Sequence, residues 1–162
     1  MTDTPDPNVL LTDAEGFVPI AIIGSRSWPD DELYVIDQYI ERLPKSVRLI
    51  SGDGGKVDLR VRAVAARLQR RFTAHPIDKT GLPSSSDKAR LAEFTARAYA
   101  RDRNIARDCR YLVAFFNPYK ENGTLNTRGG TRYTVKVARD LLRPVLIFLP
   151  KGVDPNDKRH RI

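Results

Sequence analysis

The chain predicts an α/β fold, a Rossmann-like three-layer sandwich built on a five-stranded parallel sheet in the order 3-2-1-4-5. Three observations predict it. Five short apolar runs alternate strictly with stretches of helical period, in the pattern β-α-β-α-β-α-β-α-β. Such alternation needs crossover connections, and so a parallel sheet covered on both faces. Right-handed crossovers must reverse direction once to cover both faces, which sets the strand order. With 162 residues there is enough chain for one hydrophobic core and too little for two.

Each element has its own warrant. Residues 1–16 hold two prolines, four acids and no periodicity, and read as a flexible acidic arm. The domain proper spans 17–150. VPIAIIG (Val18–Gly24) is rich in β-branched residues and ends in glycine, a buried strand. Pro29-Asp30-Asp31-Glu32 suits a helix N-terminus, Leu33, Ile36, Ile40 and Leu43 mark one apolar face, and Pro44 stops the helix. VRLIS (Val47–Ser51) is the second strand, and Val57, Val61, Val64, Ala65 and Leu68 outline the next helix. RFTAHPI is the third strand, followed by the loop DKTGLPSSSD. Leu91, Phe94, Thr95, Ala98, Ile105 and Cys109 outline a long helix with a break expected near Asp102. YLVAFF, the polar loop Asn117 to Arg128, a helix from Thr131 to Leu142 and PVLIFLP complete the order. Residues 151–162 read as a loose basic tail.

Composition narrows the function classes. The chain is 41% hydrophobic and 30% charged, which fits a globular protein and excludes wholesale disorder. Its longest apolar runs are strand-sized, so no membrane span is expected, and no basic-then-apolar secretory segment opens it. One cysteine, Cys109, excludes an internal disulfide. With only His75 and His160 beside it, a Cys/His zinc site is excluded as well. A cytoplasmic location is the expectation. The net charge is +8. All 28 basic residues but only 16 of the 20 acids fall in residues 17–162, a surplus of +12 there. That surplus suits polyanionic partners such as nucleotides or nucleic acid, and equally a solubility role.

In an open parallel sheet ligands lie beyond the carboxyl ends of the strands. Three segments there carry glycine: Gly24-Ser25-Arg26, Gly52-Asp53-Gly54-Gly55-Lys56-Val57-Asp58, and Gly129-Gly130-Thr131. A bare backbone lets N–H groups approach a phosphate at a helix N-terminus. None is a Walker loop, because none ends in Gly-Lys-Ser/Thr, and Arg26 stands where a dinucleotide fingerprint needs a second glycine. Arg26 is either a phosphate clamp or a solvated loop arginine. Asp58 either binds a ribose hydroxyl or complements a helix dipole. Trp28, Phe115, Phe116 and Tyr119 are candidates to stack a base, with Phe115 fitting a core position better. His75 fits a structural histidine, and Cys109 on the apolar face fits an inert thiol. Arg60, Arg67 and Arg71, placed on one helix face, form either a phosphate-backbone track or a solvated face.

The set Gly24-Ser25-Arg26, Ser51-Gly52…Asp58, Arg103-Asn104 and Gly129-Gly130-Thr131 resembles the SLOG superfamily, closest to its YspA-like branch. Relatives there are the DNA-processing protein DprA and the LOG (lysine-decarboxylase-like) phosphoribohydrolases. The likeness spans about Ile20 to Phe148. It implies a nucleotide-type ligand, a pocket role for Arg103 and Asn104, and frequently a homodimer. The LOG pattern Gly-Gly-x-Gly-Thr-x-x-Glu ends on a catalytic glutamate, and its register here places Thr134 at that position. Threonine cannot supply the carboxylate, so LOG-type cleavage is disfavoured. The expectation is a sensor or binding module for a nucleotide or nucleotide-derived small molecule, with no further cofactor implied. A DprA-like single-stranded DNA binder stays open, as does an N-glycosidase using Asp53 or Asp58.

Overall fold

In a computed structural model the structure describes residues 12–83 and 88–162. Five strands form one sheet in the order β3-β2-β1-β4-β5, every neighbouring pair parallel, as the sequence predicts. They are β1 (Val18–Gly24), β2 (Val47–Ser51), β3 (Arg71–Ala74), β4 (Tyr111–Phe115) and β5 (Val145–Phe148). The crossover helices are α1 (Tyr34–Arg42), α2 (Lys56–Arg67), α3 (Lys88–Asp108) and α4 (Gly130–Asp140).

Strand β1 is central, and its alternate side chains feed two cores. Ile20 and Ile22 join Ile36, Ile40, Val57, Val61 and Val64 on the face covered by α1 and α2. Ala21 and Ile23 join Ile105, Ala106, Val135 and Ala138 on the face covered by α3 and α4. The period-2 side-chain alternation of a strand thus builds both outer layers. Among the described residues no helix is long and apolar enough to cross a membrane.

Several local expectations are corrected. Pro29-Asp30-Asp31-Glu32 does not open α1. Asp30–Glu32 is a separate 3-10 turn, and the buried Glu32 accepts the Lys151 backbone N–H at 2.9 Å. Helix α3 runs unbroken through Asp102, whose carboxylate binds the Arg101 side chain and leaves the backbone ladder alone. Arg71 opens β3 and does not continue the α2 face.

The C-terminal segment, expected to be loose, packs on the domain. His160 is 6% exposed, with Nδ1 2.7 Å from the Asp154 carbonyl and Nε2 2.7 Å from the Tyr119 hydroxyl. Ile162 packs against the α3/α4 core, and Arg139 donates to its carbonyl. Residues 1–11 of the expected acidic arm, and Ser84 to Asp87 of the loop before α3, lie outside the described residues. Residues 12–16 contain a turn in which Asp13 accepts the N–H groups of Glu15 and Phe17 and pairs with Arg48 at 2.9 Å.

Candidate functional site

Strand order reverses beside β1, between β2 and β4, and the segments leaving β1 and β4 at that edge are knitted together. The Ser25 hydroxyl accepts the Asn117 N–H at 3.0 Å, the Asn117 amide donates to the Ser27 carbonyl at 2.7 Å, and the Ser27 hydroxyl donates to the Tyr119 carbonyl at 2.6 Å. A cleft of about 1070 Å³ opens over this edge. Its floor is Ile23 to Ser27. One wall is the α3 stripe Phe94, Ala98, Arg101, Asp102 and Ile105, and the other is the β4–α4 loop with Gly129 to Thr131.

Eight of the sequence-predicted ligand residues come together here: Gly24, Ser25, Arg26, Asp53, Asp58, Gly129, Gly130 and Thr131. Four do not line the cleft. Gly52 is covered, because a Cβ there would lie 2.4 Å from the Arg101 guanidinium and 2.5 Å from the Asp58 carboxylate. Lys56 turns away to Asp30 at 2.8 Å and the Trp28 carbonyl at 3.1 Å. Arg103 donates to the Tyr133 hydroxyl at 3.0 Å, and Asn104 is exposed outside the cleft.

The three glycine turns therefore differ. Val57 fills the space beside Gly24, where a Cβ would lie 2.5 Å from its side chain, and Gly52 makes room for Arg101 and Asp58. The second turn opens at Gly54 and Gly55, which starts α2 without a side-chain cap, and the third turn is an open cradle as well. Gly129 has φ +119°, a conformation side chains resist, and it starts α4 without a side-chain cap. The N–H groups of Gly130, Thr131 and Arg132 find no acceptor among the described residues. Uncapped N–H groups at a helix start carry partial positive charge toward the cleft.

Other candidates resolve plainly. Trp28, Phe115 and Phe116 are at most 1% exposed, and Trp28 packs edge-on against Phe115 at 5.3 Å. Trp28 and Phe115 are core, while Phe116 is fully buried at the edge of the cleft beneath Arg132. Tyr119 binds His160. His75 pairs with Asp108 at 2.8 Å, a structural partner that holds the carboxyl of Asp108 below its usual range together with Arg48. Cys109 is buried, and desolvation raises its thiol to about 11. Arg60 is bidentate to Asp37, Arg67 pairs with Glu41 and Asp37, and Arg71 pairs with Glu15. The three arginines do not share one helix face, and each has an acidic partner.

Six basic side chains line the cleft (Arg26, Lys79, Arg101, Lys120, Arg128 and Arg132) against four acids. Arg101 is spent on Asp102 at 2.8 Å and Asp53 at 3.4 Å. Arg132 binds the Asn126 carbonyl at 2.6 Å and lies over the Phe116 ring, and burial lowers its pKa. Arg26 and the side chain of Arg128 are exposed and have no acidic partner among the described residues. Asp58 accepts from the Ser51 hydroxyl at 2.8 Å and the Gly54 N–H at 3.3 Å, so it braces its own loop. Thr134 is buried on the cleft floor, its hydroxyl donating to the Gly130 carbonyl at 2.7 Å.

The residues missed from sequence are Arg101, Asp102, Tyr99 and Arg128. The signal for the first two existed: Phe94, Ala98, Arg101, Asp102 and Ile105 share one face at helical spacing, masked by the arginines around them. Asp102 is 5% exposed, and desolvation raises its pKa against the opposing pull of Arg101, with Asp58 adding repulsion.

No protein-family model matches the chain, and no curated protein matches it. Among solved structures it is similar to DNA processing protein A (DprA) from Streptococcus pneumoniae, with a TM-score of 0.63 and 20% identity. The likeness covers 85% of this chain and 52% of the DprA chain, so this chain spans about half the length of that protein. At this identity the shared property is the fold.

Proposed function

We propose that the cleft binds a nucleotide or nucleotide-derived small molecule, as a sensor or binding module. The observation that carries this reading is the juxtaposition, at one sheet edge, of the uncapped α4 N-terminus with Arg26 and Arg128. Three backbone donors and two guanidiniums without acidic partners suit a phosphate. The α3 wall (Phe94, Ala98, Tyr99 and Ile105) supplies apolar surface for the rest of the ligand. Pockets for drug-sized ligands run to about 300–1,000 Å³, and this cleft, at about 1070 Å³, is slightly larger.

Calorimetry with the four ribonucleoside 5′-monophosphates tests it. Saturable binding of at least one is expected. Arg26→Ala should weaken it about tenfold or more, the worth of a charge-assisted hydrogen bond. Arg67→Ala, on α2 and paired with Glu41, should leave it unchanged. Absence of binding, or equal losses from both variants, would contradict the reading.

A second reading rests on a different observation. The fold likeness is to a protein named for DNA processing, and Arg26, Lys120 and Arg128 lie together on the cleft. Single-stranded DNA would then run across that edge and not along α2. Binding of an oligothymidine that falls by orders of magnitude between low and moderate salt, with Arg128→Ala reducing the salt slope, favours this reading.

A further inference from the structure

Among the cleft carboxylates Asp102 is the buried one, and one of its oxygens has no protein partner among the described residues. Asp53 is paired with Arg101, and Asp58 is held by Ser51 and the Gly54 N–H. In Asp102, Oδ1 accepts from Arg101 Nε at 2.8 Å, while Oδ2 has no partner among the described residues. The side chain is 8% exposed, and Oδ2 lies 3.1 Å from the point where a Cβ on Gly130 would sit. That oxygen is open to the cleft, so a ligand hydroxyl can take the place of water there.

We propose that Asp102 is the specificity-determining residue of the cleft, its Oδ2 accepting a hydrogen bond from a sugar hydroxyl of the bound ligand beside the α4 N-terminus. The inference rests on the reading of the cleft as a nucleotide-type site. The chemistry follows from position. Oδ2 adjoins Gly130, whose N–H belongs to the open donor set of α4. A second anion in contact with Oδ2 would be repelled, so the phosphate engages the outer N–H groups and the guanidiniums. The group adjoining a nucleotide phosphate is its ribose, which offers hydroxyl donors at that reach. The near burial of Asp102 sharpens the selection, because a ligand without the hydroxyl covers the oxygen and offers no donor in place of water.

The test uses the whole chain with the four ribonucleoside 5′-monophosphates and their 2′,3′-dideoxy counterparts, read by calorimetry. Wild type should prefer the ribo form of the ligand it binds by about tenfold or more. Asp102→Ala and Asp102→Asn should both erase that preference while retaining the dideoxy affinity within about threefold. Arg26→Ala should weaken both forms equally. If ribo and dideoxy forms bind wild type alike, or if the preference survives in both Asp102 variants, the role of Asp102 is overturned while the nucleotide site stands. If no monophosphate binds wild type, both claims fall together.

Discussion

Asp102 stands where stability and binding oppose each other. Its folded pKa is raised, so the folded state holds the proton more tightly than the unfolded chain does. The stability it contributes is therefore present when protonated at low pH and is lost as pH rises through the folded value. The charged groups that act on it are Arg101 and Arg103 on its own helix and Asp58 on α2. Asp102→Asn removes the ionisation and leaves Arg101 its contact with Asp53. The variant should melt at or a few degrees above wild type at neutral pH, with the difference shrinking toward pH 4. Thermal unfolding across that range checks it, and a large loss at neutral pH would contradict it. Gly130→Asp makes a complementary case: a side chain there meets Asp102 Oδ2 at 3.1 Å and adds a negative charge to the anion end of the cleft. Nucleotide affinity should fall more than tenfold, checked by calorimetry, while the melting temperature of the variant reports whether the fold is kept.

At the level of elements, β1, β2 and β5 were legible because each is an apolar run bounded by glycine, serine or proline, and apolar side chains on both faces of a buried sheet leave few alternatives. The α4 entry was legible for a similar reason, since Gly129-Gly130 marks a turn that only glycine enters at φ +119°. What the sequence hid depended on partners far along the chain. The tail reads as basic and loose, yet His160 is buried by Tyr119, 41 positions away. Arg101 and Asp102 look like part of a solvated arginine-rich face until the fold turns that face onto the cleft. Arg60 and Arg67 look like a track until Asp37 and Glu41 of α1 are brought beside them. The tail also has a mechanical consequence. Tyr119 bridges His160 and, through its carbonyl, Ser27 on the cleft floor. His160→Ala should cost about 1–3 kcal/mol of stability through lost buried hydrogen bonds. It should also speed amide exchange in residues 117–126, measurable by hydrogen–deuterium exchange; unchanged exchange there would show that the tail does not brace the loop.

For the molecule as a whole, part of the basic surplus is paired with acids and part faces the cleft. On the α1/α2 face Arg60 and Arg67 pair with Asp37 and Glu41, whereas the sheet edge over β1 and β4 keeps Arg26 and Arg128 without acidic partners among the described residues. Sheet topology explains this, because the reversal beside β1 splays the crossovers apart and opens a cleft at the positive end of α4. Charge counted along the sequence could not show which arginines are paired; the fold does. The most direct test is an amide-resolved NMR titration of the whole chain with a ribonucleoside 5′-monophosphate. The largest shifts should fall on Gly129 to Arg132, Arg26 and Tyr99 to Asp102. Shifts centred instead on Arg60, Arg67 and Arg71, or none at saturating ligand, would contradict the account.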